Sequence, residues 1–204
     1  MNNAAAAAAA ASASAALAAG STRDQILGVA RGLIETRSYL GFSFQDVANA
    51  VGIRKASLYH HFPTKEALGV AVIRQATQYF KDWDAARERK PEDALDSYFR
   101  MYRNTLKAGS GMCPAGSLAP GWDCINEELR QAVQELRHTQ VLWLTGVLGA
   151  LAPAGARKKG ASPVAAQASY VFSVCQGALL ASRMTGRVED FDEAIAQLRS
   201  SLPG

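Results

Sequence analysis

Charged residues are missing from the first twenty positions of this 204-residue chain, which are mostly alanine. A secretory signal needs a basic start and a strongly apolar middle, whereas this segment has no Lys or Arg and a single Leu. Alanine favours helix, but a helix without a second face to bury frays. We therefore predict that residues 1–20 form a disordered alanine-rich tail without a core function.

Cysteines are few and widely spaced. Cys113, Cys124 and Cys175 are an odd number and form no CxxC pair, which argues against a disulfide framework and against a zinc module. We expect Cys124 and Cys175 to be small core residues. This usage favours a reducing, cytoplasmic compartment, and we predict no metal and no cofactor.

Long apolar runs and alternating strand patterns are also missing. The apolar run from Val141, VLWLTGVLGALAPAG, is shorter than the about 20 residues of a membrane span and contains Pro153. We therefore predict a soluble protein with no membrane partner. No segment rich in β-branched residues alternates with period two, so we predict no strands.

Apolar residues instead recur at the spacing of amphipathic helices, and 49% hydrophobic residues suffice for a packed core. We predict an all-α chain of about nine helices. Of the first four helices, the first, second and fourth have Thr22, Ser43 and Thr64 as their N-caps, and the third begins near Arg54. The other five cover 91–108, a short stretch after Pro114, 126–151, 162–185 and 189–202.

Hydrogen-bond donors are concentrated in RKASLYHHFPTKEALG, residues 54–69. The sequence predicts two short helices joined by a glycine turn, and the second helix starts with basic residues followed by aromatic and hydroxyl side chains. This composition is typical of a helix-turn-helix that binds duplex DNA. The adjacent His60 and His61 suggest a metal or catalytic site instead. Adjacent helical side chains point about 100° apart and do not converge on one ion unaided, so we prefer the DNA hypothesis.

The stretch FSFQDVANAVGIRKASLYHHFPTKEALG resembles the DNA-binding signature of the TetR family, over residues 22–70. The resemblance implies a three-helix helix-turn-helix domain over 21–67 and a helical ligand-binding and dimerisation bundle over 68–204. By position it implies that Ser43 and Gln45 contact the backbone or a base, that Lys55, Ala56, Tyr59 and His60 face the major groove, and that Ser57, His61 and Lys65 contact phosphates. It also implies that Arg54 contacts a base or a phosphate, and that Leu58 and Phe62 are core residues.

Small residues recur at helical spacing in SPVAAQASYVFSVCQGALLASRMTG and allow another helix to approach closely. Together with Phe191, Ile195 and Leu198 of the last helix, this stripe resembles the four-helix dimer interface of the same family. The resemblance therefore implies a homodimeric transcriptional repressor that binds a palindromic operator in double-stranded DNA.

Aromatic side chains with polar tips are spread along the predicted fourth to eighth helices. Such residues either belong to the core or line a small-molecule cavity, and the family binds inducers at that place. The candidate ligand-contacting residues are Tyr79, Trp83, Tyr98, Met101, Tyr102, Trp122, Trp143 and Phe172.

Cys113 lies in GMCPAGSLAP, which resembles the subgroup of the family that responds to electrophiles, oxidants or acrylate-like compounds. A thiol at a helix N-terminus can have a lowered pKa, and the thiolate is the reactive form. The alternative is a structural Cys113 in a regulator that responds to a plain pocket ligand. No catalytic constellation accompanies Cys113, His60 or His138, so we predict that the protein is not an enzyme.

Overall fold

The computed structural model describes residues 20–86, 88–107, 112–152 and 162–202, and within these ranges it is helical and contains no strand, as predicted. The α-helices are α1 (Thr22–Arg37), α2 (Phe44–Val51), α3 (Lys55–His61), α4 (Lys65–Ala85), α5 (Pro91–Lys107), α6 (Glu127–Leu151), α7 (Ser162–Thr185) and α8 (Glu189–Ser200). A single 3₁₀ turn, Tyr39–Gly41, follows α1, and a longer 3₁₀ segment, Gly116–Cys124, precedes α6. Except for Gly20, the predicted tail lies outside the described residues.

Local side-chain caps explain where the N-terminal helices begin. Ser21 and Asp24 form a capping box at the start of α1, so the cap is Ser21 and not Thr22 as predicted. Ser43 and Asp46 form the same arrangement at α2, and Thr64 caps α4 through the Ala67 amide, both at the predicted caps.

Helices α1 to α3 form a small three-helix unit around a common core. Ile26, Ile34, Val47 and Leu58 are fully buried there, and Phe62 is nearly so. Gly52, with a φ of 80°, ends α2 in the left-handed region that glycine adopts readily. This turn sets the angle between α2 and α3, as a helix-turn-helix requires.

Helix α4 connects this unit to the rest of the chain. It packs on α1 on one side and on α6 on the other, so the predicted domain boundary between residues 67 and 68 falls inside one continuous helix. In the C-terminal part, α4, α5 and α7 pack on α6, which buries a stripe that includes Leu129, Leu136, Leu144 and Leu148, and α8 packs on α7 and α5. The two parts therefore share a rigid element.

Helix α7, and not the run from Val141, contains the one candidate membrane span among the described residues. By length and composition Val164–Thr185 could cross a membrane, with a mean hydropathy of 1.3, although 33% of that window is buried inside the fold. The buried side packs on α6 and α8, and the other side leaves Tyr170, Leu180 and Met184 exposed.

Helix α8 does not present the apolar residues that we predicted for a dimer interface. Phe191, Ile195 and Leu198 are only 1%, 6% and 2% exposed, because they pack against the neighbouring helices of their own chain. They belong to the core of the bundle. The exposed apolar stripe is on α7 alone.

Candidate nucleic-acid interface and internal cavity

Helix α3 is short and places most of its polar side chains in solvent. Leu58 is its fully buried anchor, and Phe62 closes the core directly after it, as predicted. Arg54, Lys55, Ala56, Tyr59, His60 and His61 are exposed, and Ser57 is half-buried. Two turns of helix thus present a nearly continuous surface of donors next to the start of α4.

The ring of Tyr59 is held in place by a residue of α2. It meets the ring of Phe44 edge to face with the ring centroids 5.2 Å apart, while Tyr59 remains 47% exposed. Such a contact restricts the ring without using its hydroxyl group. The Tyr59 hydroxyl is therefore presented to solvent from a fixed position.

Two predicted contacts on α2 have local hydrogen-bond partners. The Ser43 hydroxyl donates to the Asp46 carboxylate over 2.7 Å and accepts from the Asp46 amide. The hydrogen bonds that the Ser43 hydroxyl and the Ser43 amide donate to this carboxylate lower the pKa of Asp46. Gln45 Nε2 donates to Asn49 Oδ1 over 2.7 Å, and both residues are exposed. Gln45 can change partners at little cost, whereas Ser43 holds the start of α2.

Lys65 occupies a different environment from the one predicted. Its Nζ donates to the carbonyl oxygens of Tyr39 and Phe42, each over 2.6 Å, and lies 4.5 and 4.3 Å from the centroids of their rings. Partial burial lowers the pKa of this ammonium. Lys65 therefore stabilises the connection between α1 and α2, and its contact with a phosphate stays a prediction.

A cavity of about 380 Å³ lies where α1, α4, α5 and α6 meet. Its lining consists of Arg31, Glu35, Ala76, Tyr79, Phe80, Met101, Tyr102, Asn104, Thr105, Cys113, Pro114, Leu136 and Gln140. Tyr79 at the mouth is 57% exposed, whereas Tyr102, Cys113 and Gln140 are at most 7% exposed. The cavity therefore runs from the surface into the core.

A buried hydrogen-bond network forms the inner end of the cavity. Gln140 Oε1 accepts from the hydroxyls of Tyr98 over 2.9 Å and of Tyr102 over 2.8 Å. The Tyr102 oxygen in turn accepts from Gln176 Nε2 over 3.1 Å. Burial raises the pKa of both tyrosines well above their usual value, so both phenols stay protonated.

The structure brings some of the predicted ligand-contacting residues together and separates others. Tyr79, Met101, Tyr102 and Cys113 line the cavity. Trp83, Tyr98 and Trp143 do not, because they pack on one another and on Phe80, with centroid distances of 5.4 to 6.3 Å. Trp122 and Phe172 are also outside its lining: Phe172 is in another part of the core, and Trp122 is half-buried against the core.

The three cysteines have different surroundings, and none is in a disulfide. Cys113 is buried in the cavity wall, and its carbonyl oxygen accepts from the Ser117 amide over 3.0 Å. The helix predicted after Pro114 is the 3₁₀ segment, which begins at Gly116. Cys175 is a core residue as predicted, and burial raises the pKa of its thiol. Cys124 is exposed, which corrects our prediction, because it ends the 3₁₀ segment at the surface.

Several cavity residues were missed from the sequence although two signals were present. Gln140 is a polar residue on a stripe of α6 that otherwise carries leucine, at Leu136, Leu144 and Leu148. Arg31 and Glu35 have the i, i+4 spacing of an ion pair on α1, and Arg31 Nε lies 2.8 Å from Glu35 Oε1. A buried polar residue on an apolar stripe is a usable signal for a cavity.

Helix α1 and the following turn are bonded directly to the C-terminal helices. Ser38 Oγ donates to the Ser117 carbonyl over 2.9 Å, and Ser38 adopts a positive φ of 64°. Arg183 of α7 donates to the carbonyl oxygens of Glu35 and Thr36 at the end of α1. The 3₁₀ segment and α7 thereby fix the position of the three-helix unit.

The comparison with known proteins agrees with this geometry. Residues 26–72 match the bacterial regulatory proteins of the tetR family. The chain is 32% identical over 77 residues to the HTH-type transcriptional regulator CymR of Pseudomonas putida, and 34% identical over 77 residues to the HTH-type transcriptional repressor KstR2 of Mycolicibacterium smegmatis. These matches cover 37% and 38% of this chain, and only 38% and 36% of the two relatives.

The structural likeness extends over nearly the whole fold. A TetR-family transcriptional regulator from Agrobacterium tumefaciens superposes with a TM-score of 0.78 and 25% identity, covering 90% of this chain and 98% of that one. Fold and surface thus match those of helix-turn-helix DNA-binding transcriptional regulators, which are not enzymes. Residues 26–72 thus match the DNA-binding domain of the TetR family, and the whole fold is similar to that of a TetR-family regulator.

Proposed function

We propose that the protein is a homodimeric, cytoplasmic repressor that binds a palindromic operator and releases it when the cavity is occupied or when Cys113 is modified. The observation that carries the DNA contact is α3, which exposes a basic and hydroxyl-rich face around the single buried anchor Leu58. Helices presented in this way enter the major groove, and their polar side chains contact base edges and phosphates.

The exposed stripe of α7 supports the dimer. Ala166, Tyr170, Ser173, Gly177, Leu180 and Met184 are exposed and recur every three or four residues, so they share one face of the helix. A second copy of α7 would bury this face, and Gly177 leaves room for close approach. A two-fold axis here would place two copies of α3 against two half-sites of a palindrome.

The path from cavity to DNA supports release by an effector. Arg31 and Glu35 of α1 line the cavity, and the end of α1 is bonded to Arg183. A molecule in the cavity therefore touches the three-helix unit itself and also α4, which leads into it. A small displacement of either helix would change the distance between the two α3 helices of a dimer.

The DNA contact is tested with an operator duplex from the upstream region of the protein's own gene. Lys55→Gln should reduce the slope of log K against log[salt] by about 0.9 per subunit, about 1.8 for a dimer on its palindrome, because each subunit loses one cation at the DNA surface. Lys90→Gln, at an exposed position between α4 and α5, removes the same charge and should leave the slope unchanged. Equal slopes for the two variants would contradict the assigned surface.

The thiol switch is supported by the position of Cys113 in the wall of the cavity. An α,β-unsaturated carbonyl compound that enters can add the thiol across its double bond: sulfur binds the β-carbon and the proton ends on the α-carbon. A peroxide would convert the same thiol to a sulfenic acid and release water. Either product enlarges a buried side chain next to the 3₁₀ segment that contacts Ser38.

Methyl acrylate tests this switch directly. Wild type should gain a mass adduct at Cys113 and lose operator affinity, and Cys124→Ala should behave in the same way because it removes only the exposed thiol. Cys113→Ala should keep the operator bound. If methyl acrylate and peroxide also release Cys113→Ala, the thiol hypothesis is wrong and a plain cavity ligand is the remaining effector.

A further inference from the structure

The inner end of the cavity presents amide donors that lack a partner. Gln140 is 4% exposed, and its Oε1 accepts from two phenols. The remaining polar atom, Nε2, makes no hydrogen bond to any other described residue, and it is not among the fully enclosed unpaired atoms although Gln140 itself is buried and lines the cavity. A donor that is accessible only from such a cavity favours a ligand that supplies an acceptor.

The charged groups of the cavity neutralise each other. Arg31 and Glu35 are paired over 2.8 Å, and no other charged side chain is part of the described lining. A carboxylate or an ammonium group that entered would lose its hydration without gaining a free counterion. The cavity therefore selects against charged molecules.

Most of the remaining lining is apolar. Phe80, Met101 and Leu136 belong to it together with the ring of Tyr79, and Asn104 and Thr105 are its other polar residues. A volume of about 380 Å³ is near the small end of the range for ligand pockets. Apolar walls of this kind gain most from a compact, largely hydrocarbon body.

We infer that the cavity takes a small, uncharged, mostly apolar molecule with one carbonyl-type acceptor, which accepts a hydrogen bond from Gln140 Nε2. This inference rests on the proposed function, in which the cavity is the effector site. It adds the polarity of the ligand and names the residue that recognises it.

Four probes with one benzene ring test the inference by calorimetry on the full chain. Acetophenone carries the acceptor, α-methylstyrene replaces its C=O with C=CH₂, and benzoate and benzylammonium carry opposite charges. Acetophenone should bind on the order of tenfold tighter than α-methylstyrene, which corresponds to one hydrogen bond to a buried donor. Both ions should bind more weakly than acetophenone.

Gln140→Glu is the matched variant, because a carboxylate still accepts from both tyrosines but has no N–H to donate. Its preference for acetophenone over α-methylstyrene should disappear, and benzylammonium should bind more tightly than to wild type. The carbonyl stretch of isotope-labelled acetophenone provides a measurement that needs no variant. It should move to lower wavenumber on binding to wild type, as hydrogen-bonded carbonyls do.

Equal affinity for acetophenone and α-methylstyrene, tighter binding of either ion, or no binding of any probe would overturn the inference. A gel shift with the operator separates it from the proposed function. If acetophenone binds with the expected preference and leaves operator affinity unchanged, the ligand class is supported and the effector role of the cavity fails.

Discussion

Lys55 and Lys65 illustrate why residue type alone does not assign a DNA contact. Lys55 is exposed at the first position of α3, whereas Lys65 donates to the carbonyls of Tyr39 and Phe42. Both belong to a motif that is rich in donors, and the sequence assigned both to DNA. Only the structure shows that the second ammonium group holds the turn between α1 and α2.

Lys65→Met should therefore affect folding more than DNA affinity. Loss of two hydrogen bonds from a charged, partly buried donor should lower the free energy of unfolding by about 1–3 kcal/mol, as measured by urea titration. The salt slope of operator binding should stay that of wild type. A normal unfolding curve with a reduced slope would restore the phosphate contact that the sequence predicted.

Buried polar residues were the least predictable part of the candidate site. Tyr79, Tyr102 and Cys113 could be named because aromatic residues with polar tips and a thiol draw attention in a sequence. Gln140, Arg31 and Glu35 carried weaker signals, a polar residue on an apolar stripe and the spacing of an ion pair, but their meeting in one cavity depends on which helix faces which. Trp83 and Trp143 were named as candidate ligand-contacting residues for the same reason: the sequence does not show that their two helices face each other and that the two rings pack together.

At the scale of elements, helix boundaries followed from local chemistry and were largely predictable. Ser43 and Thr64 cap their helices as expected, and α7 spans the predicted 162–185. The 3₁₀ segment differs because Pro120 lies inside it and Gly121 departs from helical angles. The sequence also could not show whether the apolar residues of α8 lie in the core or in a dimer interface, because both have the same composition.

Helix α7 makes the dimer testable with a pair of glycines. A Cβ at Gly177 or at Gly146 of α6 would meet nothing within 4 Å in the single chain. Gly177→Leu should weaken the dimer, seen as a lower mass in sedimentation analysis, because the larger side chain prevents close approach of two α7 helices. The loss of a mid-helix glycine should leave the fold of either variant intact.

Gly146→Leu is the control and should remain dimeric, because it lies on a different helix. A dimer of unchanged affinity in Gly177→Leu would show that copies associate through another surface. The exposed Tyr170, Leu180 and Met184 would then need a different partner.

At the scale of the whole molecule, the cavity and the proposed DNA-binding surface are linked by continuous contacts. The 3₁₀ segment contacts Ser38, α7 contacts the end of α1, and α4 runs from the cavity wall to the start of the proposed surface. The TetR-like architecture could be predicted from the N-terminal motif and the helix count. These particular bonds could not, because they join residues 79 and 148 positions apart.

The most direct test of the central claim is fluorescence anisotropy of a labelled palindromic duplex from the upstream region, titrated with wild-type protein at several salt concentrations. The account predicts saturation at two chains per palindrome, affinity that falls steeply with salt, and binding at least about 10³-fold tighter than to unrelated duplex. Equal binding to both duplexes at physiological salt would contradict it.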